Sequence, residues 1–353
     1  MSRLRLPFLS LLWLTACGPN LSEVLPGDGD PQASDANDLR HRHDAGVADA
    51  GFDPCSMTSP RAVALDTFAA PGVSEQPFLD AIDGASHSLR VMVYQLTSAT
   101  IRAAIVAKAS AGVDVRVILD LTQQSTNQAS FDALTAAGAK VQWSDPGFSY
   151  THAKFLVADE KVALISTGNY DNFMHSGRNF GAVDRDGLDV QALVKIFDAD
   201  FAHTAPDLAC TRLVVSPVNA RARHLALLGS ATRTLVIESM QFSDSEVRAA
   251  VLARRQAGVD VRVLIASPSW VTGNDTAGAW LVANGIPARW RKSPAIHVKA
   301  FVIDGQTAFF GSENLSRTSL DHNREVGLVT TEADDVALVS GTFETDWATA
   351  TAF

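Results

Sequence analysis

Cysteine is scarce in this 353-residue chain, which contains only three cysteines and no cysteine cluster. An HExxH segment is also absent. Both absences argue against a zinc-dependent reaction, because zinc sites are usually built from such ligand groups. Basic residues are outnumbered, with 29 Lys and Arg against 39 Asp and Glu and a formal net charge of −10. An acidic chain argues against a long nucleic-acid footprint, which needs a positive surface, but leaves room for a local basic pocket.

A long apolar run is missing as well. The apolar stretch of residues 6–16 is much shorter than the roughly 20 residues that cross a bilayer. Because Arg3 and Arg5 precede it, residues 1–17 are predicted to be a secretory signal. The signal ends in small residues before Cys17, which resembles a bacterial lipobox with Cys17 as the lipidated residue. The alternative is an ordinary signal with a chance cysteine.

Residues 18–54 are rich in Asp, Ala, Gly and Pro, with eight acidic residues and two arginines. Such a segment buries too little apolar surface to offset the entropy of ordering, so it is predicted to be a disordered tether. Cys55 and Cys210 remain as an even pair in an exported protein. We expect them to form a disulfide; two buried free thiols are the alternative.

The rest of the chain is an internal duplication. Residues 111–117 (AGVDVRV) recur unchanged as residues 257–263, and strand-like and helix-like segments follow the same order around both copies. Alternating strands and helices predict an α/β fold with mixed, largely parallel sheets covered by helices. We expect two similar α/β/α halves, residues 55–211 and 212–353, each of ordinary domain size.

The most informative repeat is a short motif. His152-Ala-Lys154 recurs as His297-Val-Lys299, and Asp159 and Asp304 follow at the same distance in the two copies. Further along are the segments STGN, ending at Asn169, and GSEN, ending at Asn314. Histidine and lysine two residues apart on a strand point to the same face.

Each motif is expected to form a β-hairpin, with the aspartate at the turn. Folding about Glu160 places His152 opposite residue 168, and the favoured turn Asp304-Gly305 places His297 opposite Ser312. Two histidines can act as nucleophile and acid, while two lysines and two amides hold the oxygens of a phosphate ester. We therefore predict phosphodiester chemistry that needs neither metal nor cofactor.

The doubled pattern HxK, four residues, Asp, six residues, GSxN resembles the phospholipase D superfamily over the whole predicted folded region. The second copy matches fully; the first has Ser166 and Thr167 where glycine and serine are usual. The resemblance implies two halves related by a pseudo-twofold axis, with the active site at their interface and a phosphohistidine intermediate. It implies attack by His152 and acid–base catalysis by His297, an order that the residues alone leave open.

The remaining roles follow from the same resemblance. Lys154, Lys299, Asn169 and Asn314 would hold the phosphate, and Asp159 and Asp304 are expected to be structural. Glu325 fits the downstream acid that orients a histidine, and should raise the pKa of the histidine it contacts. Asn179 stands at the equivalent place in the first half. Each of these two residues is expected to contact the histidine of its own half, Glu325 contacting His297 and Asn179 contacting His152. The alternative for Asn179 is a local turn cap.

Further side chains near the motifs are candidates to line the substrate mouth, with core packing as the equally weighted alternative. They are Ser312, Thr167, Tyr150 and Trp290.

The leading functional hypothesis is a lipid-anchored monomer of the bacterial cell envelope that hydrolyses phospholipid head groups at a membrane surface. The alternatives are an endonuclease of the same superfamily and a cardiolipin synthase-like phosphatidyltransferase. A non-catalytic envelope lipoprotein is a further alternative.

Overall fold

Two mixed β-sheets carry the fold of the computed structural model, which describes residues 53–73, 75–171 and 176–353. The predicted signal, the lipidation at Cys17 and nearly all of the tether lie outside these residues. Cys55 and Cys210 form a disulfide, which links the first described residues to the end of the N-terminal half. Among the described helices, none has the length and apolar character needed to cross a membrane.

The N-terminal half has seven strands in the order β1-β7-β6-β5-β2-β3-β4. Strands β2, β3 and β4 are parallel to one another, and the other pairings are antiparallel. Its elements are β1 (Asp66–Ala70), α1 (Gln76–Asp83), β2 (Ser88–Val93), α2 (Ala99–Ser110), β3 (Asp114–Leu119), α3 (Gln124–Ala136), β4 (Lys140–Trp143), β5 (Lys154–Ala158), β6 (Val162–Ser166), β7 (Asn179–Asp184) and α4 (Gly187–Phe201).

The C-terminal half repeats this plan in the order β15-β11-β10-β9-β12-β13-β14-β8. Its parallel strands are β9, β10 and β11. The elements are β8 (Val214–Ser216), α5 (Ala220–Gly229), β9 (Thr234–Ser239), α6 (Ser245–Gln256), β10 (Asp260–Ala266), α7 (Asn274–Ala283), β11 (Ala288–Arg291), β12 (Lys299–Ile303), β13 (Thr307–Gly311), α8 (Arg317–Asp321), β14 (Glu325–Thr330), α9 (Ala333–Thr349) and β15 (Thr351–Ala352).

The prediction of two similar α/β halves with mixed sheets is confirmed. The expectation that the sheets are largely parallel is wrong, because parallel pairing is confined to three strands in each sheet and the motif hairpins add antiparallel strands. The unchanged repeat AGVDVRV has a local explanation. Helices α2 and α6 both end just before it, and Gly112 and Gly258 adopt φ of 90°. Glycine reaches this left-handed conformation without strain, so it ends the helix and turns the chain into the next strand.

A shared core joins the halves. One buried cluster contains residues of β5, β6, β7 and α4 together with residues of β12, β13, β14 and α9. Phe180 and Phe310 meet within it, with ring centroids 6.0 Å apart. Separate apolar clusters lie under α1 to α3 and under α5 to α7. The strands that carry the two motifs therefore face each other across a common apolar layer.

Candidate active site

Both motifs form β-hairpins, β5–β6 and β12–β13. Phe155 pairs with Ile165, and continuing this register places His152 opposite residue 168, as predicted. In the second hairpin Ala300 pairs with Phe310, which places His297 opposite Glu313 and not Ser312. The predicted register was one residue off because Gln306 also lies in the loop, between the paired residues Ile303 and Thr307.

The motif aspartates lie at the hairpin turns. The Asp159 carboxylate accepts hydrogen bonds from the backbone N–H groups of Ser86, His87 and Ser88, at 2.7–2.9 Å. Asp304 binds the equivalent backbone groups of residues 232–234. Each aspartate thus ties its hairpin to the strand that precedes it in the sheet, away from the histidines.

The two histidines exchange partners between the halves. His152 Nδ1 lies 2.8 Å from Glu325 Oε2, and His297 Nδ1 lies 2.8 Å from Asn179 Oδ1. The sequence-based pairing of Glu325 with His297 and of Asn179 with His152 is therefore wrong. Asn179 is the first residue of β7 in the N-terminal half and contacts His297 of the C-terminal half. Glu325 is the first residue of β14 in the C-terminal half and contacts His152 of the N-terminal half.

Short backbone bridges between the halves enforce this exchange. The N–H of His152 donates to the carbonyl of Arg324 at 2.8 Å, and the N–H of His297 donates to the carbonyl of Arg178 at 3.2 Å. Arg324 and Arg178 directly precede Glu325 and Asn179. Because adjacent residues hold the backbone and the ring of the same histidine, the imidazole is fixed at two points.

The same two arginines are anchored by buried ion pairs. Arg178 donates to both carboxylate oxygens of Asp346 in α9, at 2.5 and 2.9 Å. Arg324 donates to both oxygens of Asp200 in α4, at 2.7 and 2.8 Å. We refer to these pairs as the arginine clamps. Bidentate pairs of this kind fix direction as well as distance.

We expect Arg324→Ala to lower kcat by about 100-fold, because small displacements of reacting groups are that costly. The buried Asp200 would lose its partner, so the free energy of unfolding should also fall, by about 3–5 kcal/mol. Steady-state kinetics well below the melting temperature and thermal unfolding would measure the two effects.

Arg221 provides the matched control for this prediction. It pairs with three carboxylates, Asp244, Glu246 and Asp321, and does not hold the backbone of either motif histidine. Arg221→Ala should reduce stability and leave kcat nearly unchanged. Equal kcat values for the Arg324 and Arg221 variants, compared at matched folded fractions, would refute a positioning role for Arg324.

Two buried lysines flank the histidines. Lys154 and Lys299 are at most 1% exposed, and each donates to the backbone carbonyl of the histidine two residues before it. Lys299 Nζ also lies 3.4 Å from His297 Nε2. Burial lowers the pKa of Lys154 to about 7. Burial also lowers the pKa of Lys299 well below its usual range, and repulsion by the charge of Lys154 lowers it further.

The histidine pKa values are governed mainly by burial. Burial lowers the pKa of His152 to about 4, although Glu325 opposes the shift. The prediction that Glu325 raises the pKa of the histidine it contacts is confirmed as a contribution, but the larger effect of burial makes the net shift a lowering. Burial, followed by Lys299 and Lys154, holds the pKa of His297 well below its usual range. His152 and Lys154 lower the pKa of Glu325 to about 2 against the effect of burial. These shifts favour neutral imidazoles beside an ionised Glu325 at neutral pH.

Glu313 is a buried carboxyl group that sequence reasoning missed. It is fully buried, and neither carboxyl oxygen has a hydrogen-bond partner among the described residues. Burial and the nearby Glu325 raise its pKa well above the usual range. A Cβ at Gly311 would lie 2.2 Å from Glu313 Oε2, so this space requires glycine. The first repeat has Gly168 at the position of Glu313, which explains why Ser166 is accommodated there in place of glycine.

The two motif asparagines present amide groups at the same place. The Oδ1 atoms of Asn169 and Asn314 are buried without a hydrogen-bond partner among the described residues. Asn169 Nδ2 lies 3.5 Å from Gln95 Oε1, a long contact. An anionic oxygen accepts hydrogen bonds, so the Nδ2 groups of these amides, and not their Oδ1 atoms, would donate to it.

Of the candidate lining residues, Ser312 and Thr167 are fully buried. Their hydroxyls bind the backbone of Val326 and Phe180, so both belong to the scaffold and not to the substrate mouth. Tyr150 is 40% exposed and packs against the ring of Tyr94, with centroids 6.0 Å apart.

Two aromatic residues beside the histidines were missed by sequence reasoning. Tyr94 lies 4.9 Å from the His152 ring. Trp270, and not Trp290, lies beside His297, with ring centroids 6.2 Å apart. Trp290 is in β11 and borders a separate hollow. Tyr94 and Trp270 follow the ends of β2 and β10, and the carboxyl ends of parallel strands are the usual place for ligand-binding residues.

No group of three or more His, Cys, Asp or Glu side chains in the described part of the chain is arranged to hold a metal ion. The absence of a metal or cofactor from the reaction stays a prediction. What the geometry brings together is one histidine, lysine and asparagine from each half, with Glu325 and Asn179 exchanged between them.

Comparisons with known proteins agree with the repeat. A family model described as "Cardiolipin synthase, PLD-like domain" matches residues 78–201 and again residues 225–347. Cardiolipin synthase 1 of Bacillus anthracis is 24% identical over 322 residues, which cover 76% of this chain and 63% of that protein. The chain thus spans less than two thirds of this relative.

Two solved structures resemble the fold at low sequence identity. Phosphatidylserine synthase of Haemophilus influenzae aligns with a TM-score of 0.63 and 12% identity, covering 82% of this chain and 87% of that one. Polyphosphate kinase of Porphyromonas gingivalis aligns with a TM-score of 0.66 and 15% identity, covering 80% of this chain and 47% of that one. At these identities the likeness concerns the fold alone.

Proposed function

The chain belongs to the phospholipase D superfamily, and on that premise we propose that it is a phosphatidyltransferase of the cardiolipin synthase type. It would move a phosphatidyl group from one alcohol to another through a phosphohistidine. The observation that carries this proposal is the meeting of two His-Lys-Asn sets at one interface. The matching family model and the curated relative, both named for cardiolipin synthase, favour transfer over our leading hypothesis of head-group hydrolysis.

The reaction would proceed in two balanced steps. The bound phosphodiester anion counters the positive charges that lower the pKa of His297, so His297 takes up a proton from solvent when substrate binds. In the first step, Nε2 of His152 attacks phosphorus, the bond to the leaving alcohol breaks, and protonated His297 donates the proton that this alcohol takes up. In the second, His297 removes a proton from the acceptor alcohol, whose oxygen attacks phosphorus, and the bond to His152 breaks. The same general acid thus becomes the general base, and both histidines return to their starting state.

The unequal partners support this assignment of roles. Glu325 accepts the Nδ1 proton of His152, which leaves the Nε2 lone pair directed at phosphorus, and its negative charge stabilises the cationic phosphohistidine. Asn179 is a neutral acceptor for His297. An imidazolium beside a neutral amide releases its proton more readily than one beside a carboxylate, which suits the acid.

Lys154, Lys299, Asn169 and Asn314 would hold the non-bridging phosphate oxygens. The lysines are buried and crowded, so a phosphodiester anion would offset both the cost of their burial and their mutual repulsion. Attachment to a membrane through Cys17 remains a prediction and would place this site beside its lipid substrate.

Product analysis on phosphatidylglycerol vesicles would test the proposal. We expect cardiolipin and free glycerol in equal amounts, with both products lost in His297→Ala and kept in the surface control His203→Ala. Phosphatidic acid as the sole lipid product would make the protein a hydrolase. Nicking of DNA without any lipid product would make it a nuclease.

Substrate affinity is expected to weaken as the pH rises. The protonated form of Lys154 binds the phosphate, and the pKa of about 7 means that this form declines above neutrality. KM should therefore rise above pH 7, by up to about tenfold per pH unit for a single ionisation. Lys154→Arg should flatten this dependence, because arginine keeps its charge. A wild-type KM that stays constant between pH 6 and 9 would contradict the assignment.

A further inference from the structure

A hollow of about 770 Å³ lies between α7, β11 and the C-terminal residue. Apolar side chains dominate its lining: Pro268, Ala279, Val282, Ala283, Trp290 and Phe353. Val282 is 49% exposed and borders the hollow. The volume falls in the range of pockets that bind small molecules.

The internal repeat shows that this hollow is specific to the C-terminal half. Asn127 of α3 and Asn274 of α7 both donate to the backbone carbonyl that follows the neighbouring strand, which aligns the two helices. In the N-terminal half, Phe131 of α3 stacks on Trp143, with ring centroids 4.6 Å apart. The same place is therefore filled by an aromatic pair.

In the C-terminal half, Trp290 stands at the position of Trp143, but Gly278 stands at the position of Phe131. A Cβ at Gly278 would lie 2.2 Å from the ring of Phe353, so no side chain fits there. Phe353 packs where Phe131 would lie, and the face of Trp290 is left bordering open space. Among the described residues no ring is stacked on Trp290 as Phe131 is on Trp143, and an apolar hollow lies beside Trp290 and Phe353.

The wall of the hollow continues to the catalytic histidine. Ser267, Pro268 and Ser269 line the hollow, and the next residue, Trp270, has its ring centroid 6.2 Å from that of His297. Trp270 is 43% exposed, so an apolar surface links the two places. Two charged residues also border the hollow: Lys292, which follows β11, and Asp275 in the first turn of α7.

We propose that this hollow receives an acyl chain of the phospholipid whose phosphate is bound between His152 and His297. The inference rests on the proposed function and specifies the position of the lipid acyl chain. An apolar hollow that borders Lys292 and continues through Trp270 to His297 suits an amphipathic ligand with an anionic head. A water-soluble phosphodiester such as a nucleotide chain would leave the hollow unused.

Filling the hollow would test the proposal, and the repeat supplies a matched control. Ala283 is the exposed last residue of α7 and lines the hollow, while Ala136 is the exposed last residue of α3. Ala283→Phe should lower kcat/KM for long-chain phosphatidylglycerol by about tenfold, the effect of one or two lost methylene contacts. It should leave kcat/KM for dibutyryl phosphatidylglycerol unchanged. Ala136→Phe should change neither value.

Equal losses on both substrates, or no loss on either, would overturn the proposal. A second variant, Val282→Asp, places a charge at the hollow and should show the same selective loss. A concentration-dependent dimer that dissociates in Ala283→Phe, without any change in chain-length preference, would assign the surface to a second copy of this chain.

A direct binding measurement separates this inference from the proposed function. The full chain would be mixed with vesicles of phosphatidylglycerol that carries a photoactivatable diazirine in one acyl chain. Labelling of residues 267–292 that Ala283→Phe removes would support the hollow even if no cardiolipin forms. Cardiolipin formation without labelling of this segment would refute the hollow and leave the proposed function standing.

Discussion

His152→Ala is expected to lower kcat/KM for phosphatidylglycerol by about 10⁴-fold or more, the scale seen when a nucleophile is removed. The ring of His152 is the one whose Nδ1 is held by a carboxylate, so it alone can carry a stabilised phosphoryl group. No covalent adduct should form in this variant. Rapid quenching with lipid labelled at phosphorus, followed by alkaline electrophoresis of the protein, would measure it.

His297→Ala provides the informative comparison, because it should separate the two steps. With a substrate whose leaving group is a good one, such as a nitrophenyl ester, protonation of the leaving oxygen is not needed. His152 should then still form the adduct, which would accumulate because no base activates the acceptor. Adduct in His152→Ala and none in His297→Ala would reverse the assignment of nucleophile and acid.

The local parts of this site were predictable because their geometry depends on short spacings. His152 and Lys154 share a face of one strand, and Asp159 follows at the turn, whatever the rest of the chain does. The disulfide between Cys55 and Cys210 followed from the parity of the cysteines that remain in a chain predicted to be exported. The register of the second hairpin was predicted one position off, because it depends on whether Gln306 lies in the loop or in the strand.

The partners of the histidines were not predictable from one half. Glu325 follows the second motif in the sequence, yet it contacts His152, because strands β7 and β14 enter the site from opposite halves. Sequence distance carries no information about such an interface contact. The role of Glu313 was hidden for a related reason. Its burial above Gly311 becomes clear only when the carboxyl group is placed in three dimensions.

Glu325→Gln is expected to lower kcat by about 10³- to 10⁴-fold, as when the carboxylate behind a catalytic histidine becomes an amide. The amide keeps the volume but removes the charge that opposes the effect of burial on the pKa of His152. The phosphohistidine would then be a buried cation without a counter-charge. The rate of adduct formation in a single turnover should fall as much as kcat, while KM should change little.

Asn179→Asp is the matched reverse substitution, since it places a carboxylate behind His297 at a hydrogen bond of the same length. A carboxylate there would raise the pKa of His297, which makes its imidazolium a weaker acid but a more populated one, so kcat should change by no more than about tenfold. Adduct formation with a good leaving group should be unaffected. If Asn179→Asp abolished the adduct and Glu325→Gln preserved it, His297 would be the nucleophile. The charge difference between the two halves therefore allows two single-residue substitutions to determine which histidine attacks phosphorus.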